Sequence, residues 1–557
     1  MGEQLSDSKS VKILADICIS KGLKKLVFSS GSRNAPLILT FNRMKSFETY
    51  TITDERSAAF FALGLSEQTG EAVALVCTSG TAVLNYSPAI AEAYYKGIPL
   101  LVLSADRPIE QIDQGDGQAI RQVGALSNFV KYSASLPIVD KKEDEWHVKN
   151  LLTNAFFNLS NAKKGPVHIN IPLREPLYGT CEYTEEAVLA NILPTENTLS
   201  EENISFLNEE IKKYKKVLIL PCTTNKDKRL SRKLEELSKQ SKVVVLTETI
   251  NNLHSDAFFN GVDKYIKSIF EDSNEYSPDL IISFGDILIS RMIKKYIQKV
   301  GLKAHWHISE NAQHIDMFHN LKLRLDINPN YFFDNVELEA NLDYRNLFLG
   351  KKKEIEDFHD TFLQNIEWSD FKAFTQLVDV LPNDYIIHSG NSTIIRYLQI
   401  FDKFAKQDCF CNRGTSGIDG SVSTAVGASW INGKKNLIIT GDLSFYYDSN
   451  ALWNRYLSKD LKIIVINNQG GGIFRFIEGP SVHEELGEFF EHHQERDVEH
   501  IAKAFNFEYL KANDEDSLSD KLDVFFRTAG KTILEIVTPR EQNDIILRRY
   551  FNNINNK

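Results

Sequence analysis

Short runs of β-branched and other apolar residues alternate along the chain with longer stretches in which apolar residues recur every three or four positions. This alternation is typical of parallel α/β architecture, because such strands are buried on both faces and helices connect them. The apolar runs form three series of four predicted strands. They are Lys25–Ser29, Ala72–Cys77, Leu100–Ser104 and Val167–Ile171; Val217–Leu220, Val243–Thr247, Leu280–Phe284 and Ala304–Ile308; and Tyr385–His388, Asn436–Thr440, Ile463–Ile466 and Ile533–Val537.

Each series has the length and pattern of one doubly wound domain with a parallel sheet. We therefore predict three α/β domains, over residues 1–180, 200–345 and 360–557. The segment Tyr178–Ser205 has no strong apolar period and contains several Thr, Glu and Asn residues, so we predict a linker there. After the strand Asn436–Thr440, the pattern predicts a helix over Tyr447–Leu457.

Composition narrows the class of protein. The hydrophobic fraction of 42% and the charged fraction of 25% are typical of a globular protein. The net charge of −11 argues against a nucleic-acid partner, because phosphate backbones require clustered positive charge. The six cysteines are scattered and form no CxxC pair, and no apolar run is long enough to span a membrane. We predict a cytoplasmic protein whose cysteines are reduced.

Two predicted strands of the last series are followed by residues suited to bind a metal diphosphate. Asp442 lies just after one strand, and Asn468 lies just after the next. In doubly wound sheets ligands bind beyond the carboxyl ends of strands, and Mg²⁺ prefers oxygen ligands. A carboxylate, an amide oxygen and the backbone carbonyl near Gly470 would suffice for Mg²⁺, or for Mn²⁺, whose demands overlap. Either half alone is more readily a turn or a flexible loop, but the two together predict a diphosphate anchor.

This pair resembles the cofactor motif of thiamine-diphosphate enzymes, in which a Gly-Asp-Gly turn is followed by Asn-Asn after the next strand. Here Leu443 stands in the third position of the turn. The resemblance implies the thiamine-diphosphate fold, with Asp442, Leu443, Ser444 and Asn468 at the cofactor and with Asp442, Asn468 and Gly470 at the metal.

Such enzymes need a carboxyl group that hydrogen-bonds the aminopyrimidine of the cofactor and so activates it. Glu55 follows a β-rich stretch and precedes a small-residue helix over Ser57–Leu65, which fits that role. Compensation of the helix dipole is the alternative reading of an acidic residue there. Beside the anchor, Glu55 is the predicted catalytic residue. The resemblance also implies a homodimer or homotetramer with active sites between subunits.

Several longer motifs resemble one family of this superfamily, the MenD family of menaquinone biosynthesis. They are Ser30–Pro36, Thr53–Ser57, Cys77–Ala82, Ser104–Pro108, Gln118–Gln122, Gly390–Ser392, Asn412–Gly420 and Gly441–Ser444. The resemblance implies decarboxylation of 2-oxoglutarate and 1,4-addition of the resulting carbanion to isochorismate. The implied product is 2-succinyl-5-enolpyruvyl-6-hydroxy-3-cyclohexene-1-carboxylate.

Both implied substrates carry two carboxylates, for which guanidinium groups are natural bidentate partners. Carried over by motif, the implied substrate-binding residues are Ser32, Arg33, Arg107, Gln118, Arg291, Ser392, Arg396 and Arg413. Gly417 and Ile418 are implied at the cofactor, and Ile473, Phe474 and Ile477 are implied as an apolar wall.

This chain departs from the family pattern at two positions. Ser290 precedes Arg291 where the family often has Lys, and Gly117 stands where Asn is common. For an isolated arginine a surface ion pair is the commoner role. The alternative function is another thiamine-diphosphate 2-oxoacid decarboxylase or carboligase, such as an acetohydroxyacid-synthase-like enzyme. The histidine pair His492–His493 lies in a charged run and is predicted to be solvated surface.

Overall fold

The computed structural model of the protein describes residues 4–160, 164–183, 196–223, 226–239, 243–270, 273–310, 314–338 and 343–554. It contains three six-stranded parallel sheets with helices between their strands, which confirms the predicted α/β class. No helix within these ranges is long and apolar enough to cross a membrane.

The chain folds as two compact units. The first consists of Met1–Pro194, Asn412–Gly433 and Tyr446–Lys459, and the second consists of Thr195–Cys411, Lys434–Phe445 and Asp460–Lys557. The second unit therefore holds both the middle and the third sheet. The three domain boundaries inferred from sequence stay a prediction.

The first sheet has the strand order β3-β2-β4-β5-β7-β6, and β1 pairs with β8 in a separate antiparallel ribbon. The strands are β1 (Gln4–Ser6), β2 (Lys25–Phe28), β3 (Glu48–Thr51), β4 (Val73–Cys77), β5 (Leu100–Asp106), β6 (Tyr132–Ser135), β7 (Val167–Pro172) and β8 (Thr180–Glu182). The helices are α1 (Lys9–Ser20), α2 (Ala35–Arg43), α3 (Glu55–Thr69), α4 (Ala82–Asn85), α5 (Ser87–Lys96) and α6 (Lys142–Ser160). Apolar residues of α1, α2 and α6 share a core with one face of the sheet, and α3 packs against β2, β4 and β5.

The middle sheet has the order β11-β10-β9-β12-β13-β14. Its strands are β9 (Val217–Pro221), β10 (Val243–Thr247), β11 (Phe259–Asn260), β12 (Leu280–Phe284), β13 (Ala304–Ile308) and β14 (Leu321–Leu325). The helices are α7 (Glu201–Ile211), α8 (Lys228–Lys239), α9 (Val262–Ile269), α10 (Ser273–Tyr276), α11 (Met292–Val300), α12 (Pro329–Asn335) and α13 (Asp343–Gln364). Helices α7, α8 and α12 cover one face, while the core on the other face continues into the third sheet.

The third sheet has the order β16-β15-β17-β18-β20-β19. Its strands are β15 (Tyr385–Ser389), β16 (Cys409–Cys411), β17 (Lys435–Gly441), β18 (Lys462–Asn467), β19 (Glu508–Ala512) and β20 (Thr532–Val537). The remaining helices are α14 (Asp370–Val380), α15 (Thr393–Ile400), α16 (Ser421–Asn432), α17 (Asp442–Tyr447), α18 (Ile473–Phe476), α19 (Glu499–Ala504), α20 (Glu515–Arg527) and α21 (Asn543–Asn553).

All twelve strands predicted from sequence are present, and they are the four central strands of each sheet. The strands that the pattern did not predict are the two edges of each sheet, namely β3, β6, β11, β14, β16 and β19. Central strands are buried along nearly their whole length, whereas β3, β6, β14 and β19 are largely half-exposed and β11 has only two residues. An edge strand pairs on one side only, so it lacks the continuous apolar run that reveals a central strand.

The structure differs from the sequence-based predictions after α17 and in the predicted linker. The predicted helix over Tyr447–Leu457 is wrong, because α17 ends at Tyr447 and only a 3₁₀ turn, Ser449–Leu452, follows. The Asn454 side chain accepts from the Tyr456 backbone N–H at 2.7 Å, a local bond that competes with helical pairing. The predicted linker contains β8 and the start of α7, and its residues 184–195 lie outside the described ranges.

Helices α3 and α16 approach each other closely within the first unit. A Cβ atom on Gly64 would lie 2.0 Å from the Thr424 carbonyl oxygen, and one on Gly427 would lie 2.1 Å from the Phe61 carbonyl oxygen. Each helix therefore presents a glycine to the backbone of the other. Only glycine allows this separation, and it fixes the position of α3, whose first residue is Glu55.

Candidate active site

The predicted diphosphate anchor lies on two neighbouring strands. Strands β17 and β18 pair in parallel with Gly441 opposite Ile466, so Asp442 and Asn468 follow adjacent strands at the same edge of the sheet. Both side chains are buried. The oxygens of both residues can therefore serve one ligand.

Asp442 has the chemistry of a cation ligand. Its Oδ2 is buried and has no hydrogen-bond partner among the described residues. Burial raises the pKa of the carboxyl to about 7, although the backbone N–H groups of Leu443 and Gly470 stabilise its charged form. A buried oxygen without a donor is costly unless an ion or ligand satisfies it. Among the described residues no cluster of three His, Cys, Asp or Glu side chains could hold a metal, so a mixed oxygen set is the candidate.

The glycine run after β18 is held against the main chain of Glu491. A Cβ atom on Gly470, whose φ is +143°, would lie 2.6 Å from the Glu491 carbonyl oxygen, and Gly471 N–H donates to that oxygen at 2.7 Å. The Glu491 carboxylate is buried and accepts from Arg475 and Arg540. His492 and His493, which the sequence predicts to be solvated surface, are exposed, whereas Glu491 just before them is buried.

Glu55 is the first residue of α3 and follows the edge strand β3. The preceding Asp54 caps the helix by accepting from Ser57 N–H at 3.1 Å, so Glu55 is not needed as the cap. The Glu55 side chain is half-buried, and no side chain of the described residues hydrogen-bonds to it. Burial raises the pKa of Glu55, and the charge of Asp54 adds to the rise. The helix thus presents a carboxyl group that holds its proton more tightly than usual.

Four predicted substrate residues lie in loops after strands of the first sheet. Ser32 is exposed, while the buried Arg33 donates to the Leu173 carbonyl and to Glu175, each at 3.0 Å. Arg107 donates to the Gly117 carbonyl at 2.7 Å. Gln118 is exposed, has a φ of +55°, and lies against Gly80 in the loop after β4. The structure brings all four to the carboxyl edge of this sheet.

A buried polar network supports these loops. Asn170 donates to Asp106 at 2.8 Å and accepts from Ser104 at 2.9 Å and from Gln122 at 3.0 Å. Asp106 in turn accepts from the backbone N–H of Arg107 at 2.8 Å. The network fixes the start of the Arg107 loop.

The segment with Arg413, Gly417 and Ile418 is held by a buried glutamate of the first unit. Glu92, on α5, accepts from the backbone N–H groups of Gly414 and Thr415 at 2.8 and 2.6 Å, and from the Thr415 hydroxyl at 2.9 Å. Arg413, Gly417 and Ile418 are half-buried. Glu92 therefore fixes the backbone immediately after Arg413.

The second unit holds Arg291, Ser392 and Arg396. Arg291 is exposed, and the two backbone N–H groups before it donate to the buried Glu248 at 2.9 and 2.7 Å. Ser392 has a φ of +70°, a strained conformation of the kind that clusters at functional sites. Arg396 donates to the Ser392 carbonyl at 2.9 Å. Ser290, which stands where the family often has Lys, is buried and donates to Asp263.

The predicted apolar wall belongs to α18 and the residue after it. Ile473 is buried, and Phe474 and Ile477 are half-buried. The Phe474 ring lies 5.8 Å from that of Phe490, centroid to centroid. Partial exposure leaves Phe474 and Ile477 able to contact a ligand.

Sequence reasoning missed the buried acids that support these loops, namely Glu92, Glu248, Asp370 and Glu491. Charged residues are rarely buried, so nothing in the local sequence marks them. Their partners lie tens to hundreds of positions away along the chain. Only the folded chain reveals them.

Comparisons with known proteins agree with this architecture. Residues 9–125 match the N-terminal TPP binding domain of thiamine pyrophosphate enzymes, and residues 389–536 match their C-terminal TPP binding domain. A 2-succinyl-5-enolpyruvyl-6-hydroxy-3-cyclohexene-1-carboxylate synthase of Flavobacterium psychrophilum is 41% identical, covering 97% of this chain and 98% of that protein. Proteins of the same name from Porphyromonas gingivalis and Phocaeicola vulgatus are 40% and 32% identical, each covering 99% of this chain and 98% and 99% of their own lengths. This chain therefore belongs to the family of 2-succinyl-5-enolpyruvyl-6-hydroxy-3-cyclohexene-1-carboxylate synthases, which are thiamine-diphosphate enzymes.

Proposed function

We propose that this protein catalyses the decarboxylation of 2-oxoglutarate and the 1,4-addition of the resulting four-carbon unit to isochorismate, in menaquinone biosynthesis. The product is 2-succinyl-5-enolpyruvyl-6-hydroxy-3-cyclohexene-1-carboxylate. The observation that carries the proposal is that one chain holds both groups that cofactor chemistry requires. Glu55 is a half-buried carboxyl with a raised pKa, and Asp442 has a buried carboxylate oxygen to which no described residue donates.

Thiamine diphosphate, when bound, supplies the nucleophilic carbon and the electron sink that decarboxylation of a 2-oxoacid requires. Asp442, Asn468 and the Gly470 carbonyl would hold Mg²⁺ or Mn²⁺, and backbone N–H groups at Leu443 and Ser444 would bind the diphosphate. Gly417 and Ile418 would support the cofactor rings. The buried, polar character of the Asp442 environment supports this assignment.

Glu55 would share its proton with the aminopyrimidine nitrogen of the cofactor. A carboxyl whose pKa is raised by burial holds its proton more tightly than an exposed one, which favours donation of the hydrogen bond that this role needs. Because no described side chain hydrogen-bonds to Glu55, the carboxyl can take up this interaction without displacing a side-chain partner.

The predicted arginines would bind the carboxylates of the two substrates. Guanidinium groups bind carboxylates in a bidentate manner, and each substrate has two. Arg107, Arg396 and Arg413 are half-buried, which allows a ligand contact while the surrounding protein limits solvent screening. Ser32, Gln118 and Ser392 would add hydrogen bonds, and Ile473, Phe474 and Ile477 would contact the isochorismate ring.

The buried Arg33 and the exposed Arg291 fit the role less directly. Arg33 already donates to Leu173 and Glu175. Arg33 would therefore bind substrate with its remaining donors or position the loop around Ser32. Arg291 would reach substrate from the start of α11, where Glu248 fixes the preceding backbone.

Turnover with defined substrates tests the proposal. Purified protein with thiamine diphosphate and Mg²⁺ should release CO₂ from 2-oxoglutarate and form the adduct only when isochorismate is added. CO₂ release from pyruvate but not from 2-oxoglutarate would instead favour an acetohydroxyacid-synthase-like enzyme. The homo-oligomeric state and the cytoplasmic location stay predictions from sequence; light scattering of the holoenzyme measures the former.

Replacing the predicted catalytic residue gives a sharper test. Glu55→Gln should retain cofactor binding and lower turnover by about a hundredfold or more, because the amide cannot transfer the proton. Asp54→Asn is the matched control, since Asn is as good a helix cap as Asp, and it should keep turnover close to that of the natural sequence. Near-normal turnover of Glu55→Gln would remove Glu55 from this role.

A further inference from the structure

The orientation of the Asn468 side chain is set by a second buried carboxylate. The Asn468 Nδ2 donates to the Asp370 Oδ2 at 3.0 Å. A carboxylate only accepts hydrogen bonds, so the amide nitrogen must face Asp370. The amide oxygen of Asn468 then points to the other side of the amide group, where it is available to a cation.

Asp370 is itself firmly held. It is the first residue of α14 and has no exposed surface. Its Oδ1 accepts from the Thr538 hydroxyl at 2.6 Å, and its backbone N–H donates to Asn543 at 2.8 Å. The two carboxylate oxygens therefore accept different hydrogen bonds: Oδ1 accepts from the Thr538 hydroxyl, and Oδ2 accepts from the Asn468 amide. This division leaves the Asn468 amide a single favourable orientation.

The charge around this pair is also unusual. Within the described part of the chain, neither Asp370 nor Asp442 has a lysine or arginine within ion-pair distance. Two buried carboxylates without a protein cation are costly to ionise, and a bound divalent cation removes that cost.

We propose that Asp370 is a positioning residue of the metal site, which turns the Asn468 amide oxygen toward the cation and adds a second buried negative charge. This inference rests on the proposed cofactor function. Residues that orient metal ligands commonly change metal affinity by ~10–100-fold when they are replaced. Asp370 does not touch the metal in this scheme; it acts through Asn468 and through its charge.

The next strand provides a matched control. Glu535 is equally buried, and its Oε1 accepts from the Nδ2 of Asn467 at 2.5 Å. Asn467 also donates to the Arg496 carbonyl at 2.9 Å. Glu535 thus holds the neighbouring asparagine as Asp370 holds Asn468, but Asn467 is not a predicted metal ligand. Replacing the two acids by their amides separates a general loss of buried hydrogen bonds from a specific loss of metal affinity.

The experiment measures the Mg²⁺ concentration that half-saturates thiamine-diphosphate binding to the cofactor-free full chain, by calorimetry or tryptophan fluorescence. Asp370→Asn should raise this concentration ~10–100-fold, with an unchanged circular dichroism spectrum. Glu535→Gln should leave it unchanged. An unchanged Mg²⁺ requirement in Asp370→Asn, while the natural sequence binds the cofactor, overturns the inference and leaves the proposed function intact. Failure of the natural sequence to bind Mg²⁺ and the cofactor overturns the proposed function itself.

An exchange of the two side chains keeps the test decisive if Asp370→Asn does not fold. In the double variant Asp370→Asn/Asn468→Asp, an amide at 370 can still accept from Thr538 and can donate to a carboxylate at 468. The number of buried carboxylates and the hydrogen bond between the two residues are both retained. The exchange should therefore restore Mg²⁺ affinity to within about tenfold of the natural sequence, inside the range that a supporting residue controls. A folded double variant with lost affinity would contradict the positioning role.

Discussion

The close approach of α3 and α16 allows one substitution to be analysed in detail. Gly64→Ala adds a Cβ atom that would lie 2.0 Å from the Thr424 carbonyl oxygen and 2.8 Å from the Ala428 backbone nitrogen. Ordinary contact begins at 3.4 Å, so the first of these distances is 1.4 Å too short. Both obstacles are backbone atoms of a buried helix, which cannot rotate away as a side chain does. The two helices must separate.

Two opposing effects decide the size of the change. Alanine is favoured over glycine inside a helix by ~1 kcal/mol, because it loses less conformational freedom. Overpacking of a well-packed core costs ~1–3 kcal/mol, and a clash with backbone falls at the upper end. We therefore expect Gly64→Ala to lower the free energy of unfolding by ~2 kcal/mol. This corresponds to a fall of about 4–8 °C in melting temperature for a unit of this size.

A second glycine provides the control. Gly350 lies in α13, is exposed, and has no atom within 4 Å of the Cβ position. Gly350→Ala should gain the helix propensity without the clash and raise stability by ~1 kcal/mol. Thermal denaturation of both variants, followed by circular dichroism, measures the pair. Gly64→Ala with a melting temperature equal to or above that of the natural sequence would refute the steric argument.

Two further predictions concern buried ionisable groups. Burial lowers the pKa of His168 from 6.5 to about 4. Between pH 4 and 6.5, unfolding therefore takes up a proton on His168. As the pH falls from 6.5 to 4, the free energy of unfolding decreases by up to ~1.4 kcal/mol per pH unit. His168→Gln should weaken this dependence in urea titrations, and identical pH profiles would contradict it. Glu92→Gln loses an acceptor for the backbone beside Arg413, so stability should fall by ~1–3 kcal/mol. The KM for 2-oxoglutarate or isochorismate should rise more than kcat falls. An unaltered KM would contradict the role of Glu92 in holding the backbone beside Arg413.

The sequence alone was sufficient for the central strands, and it singled out the candidate groups of the proposed cofactor site. A central parallel strand is buried on both faces, so its apolar run is visible locally, as in Val73–Cys77 and Leu280–Phe284. Asp442 and Asn468 directly follow such runs, and the rule that ligands bind beyond strand ends was enough to single them out. The motifs around Glu55 and the arginines carried the family resemblance, which the similarity to synthases over nearly the full length confirms.

The tertiary structure decided what depends on distant partners. Edge strands such as β3 and β19 have mixed burial, because only one side of each pairs with a neighbour. Glu92 and Asp370 can be buried because groups far along the chain donate hydrogen bonds to their carboxylates. The apolar period of a segment predicts whether a position faces the core, but it does not predict which group of another segment contacts that position. The strands were therefore readable from the sequence, whereas the buried acids that orient the site appeared only when the chain was folded.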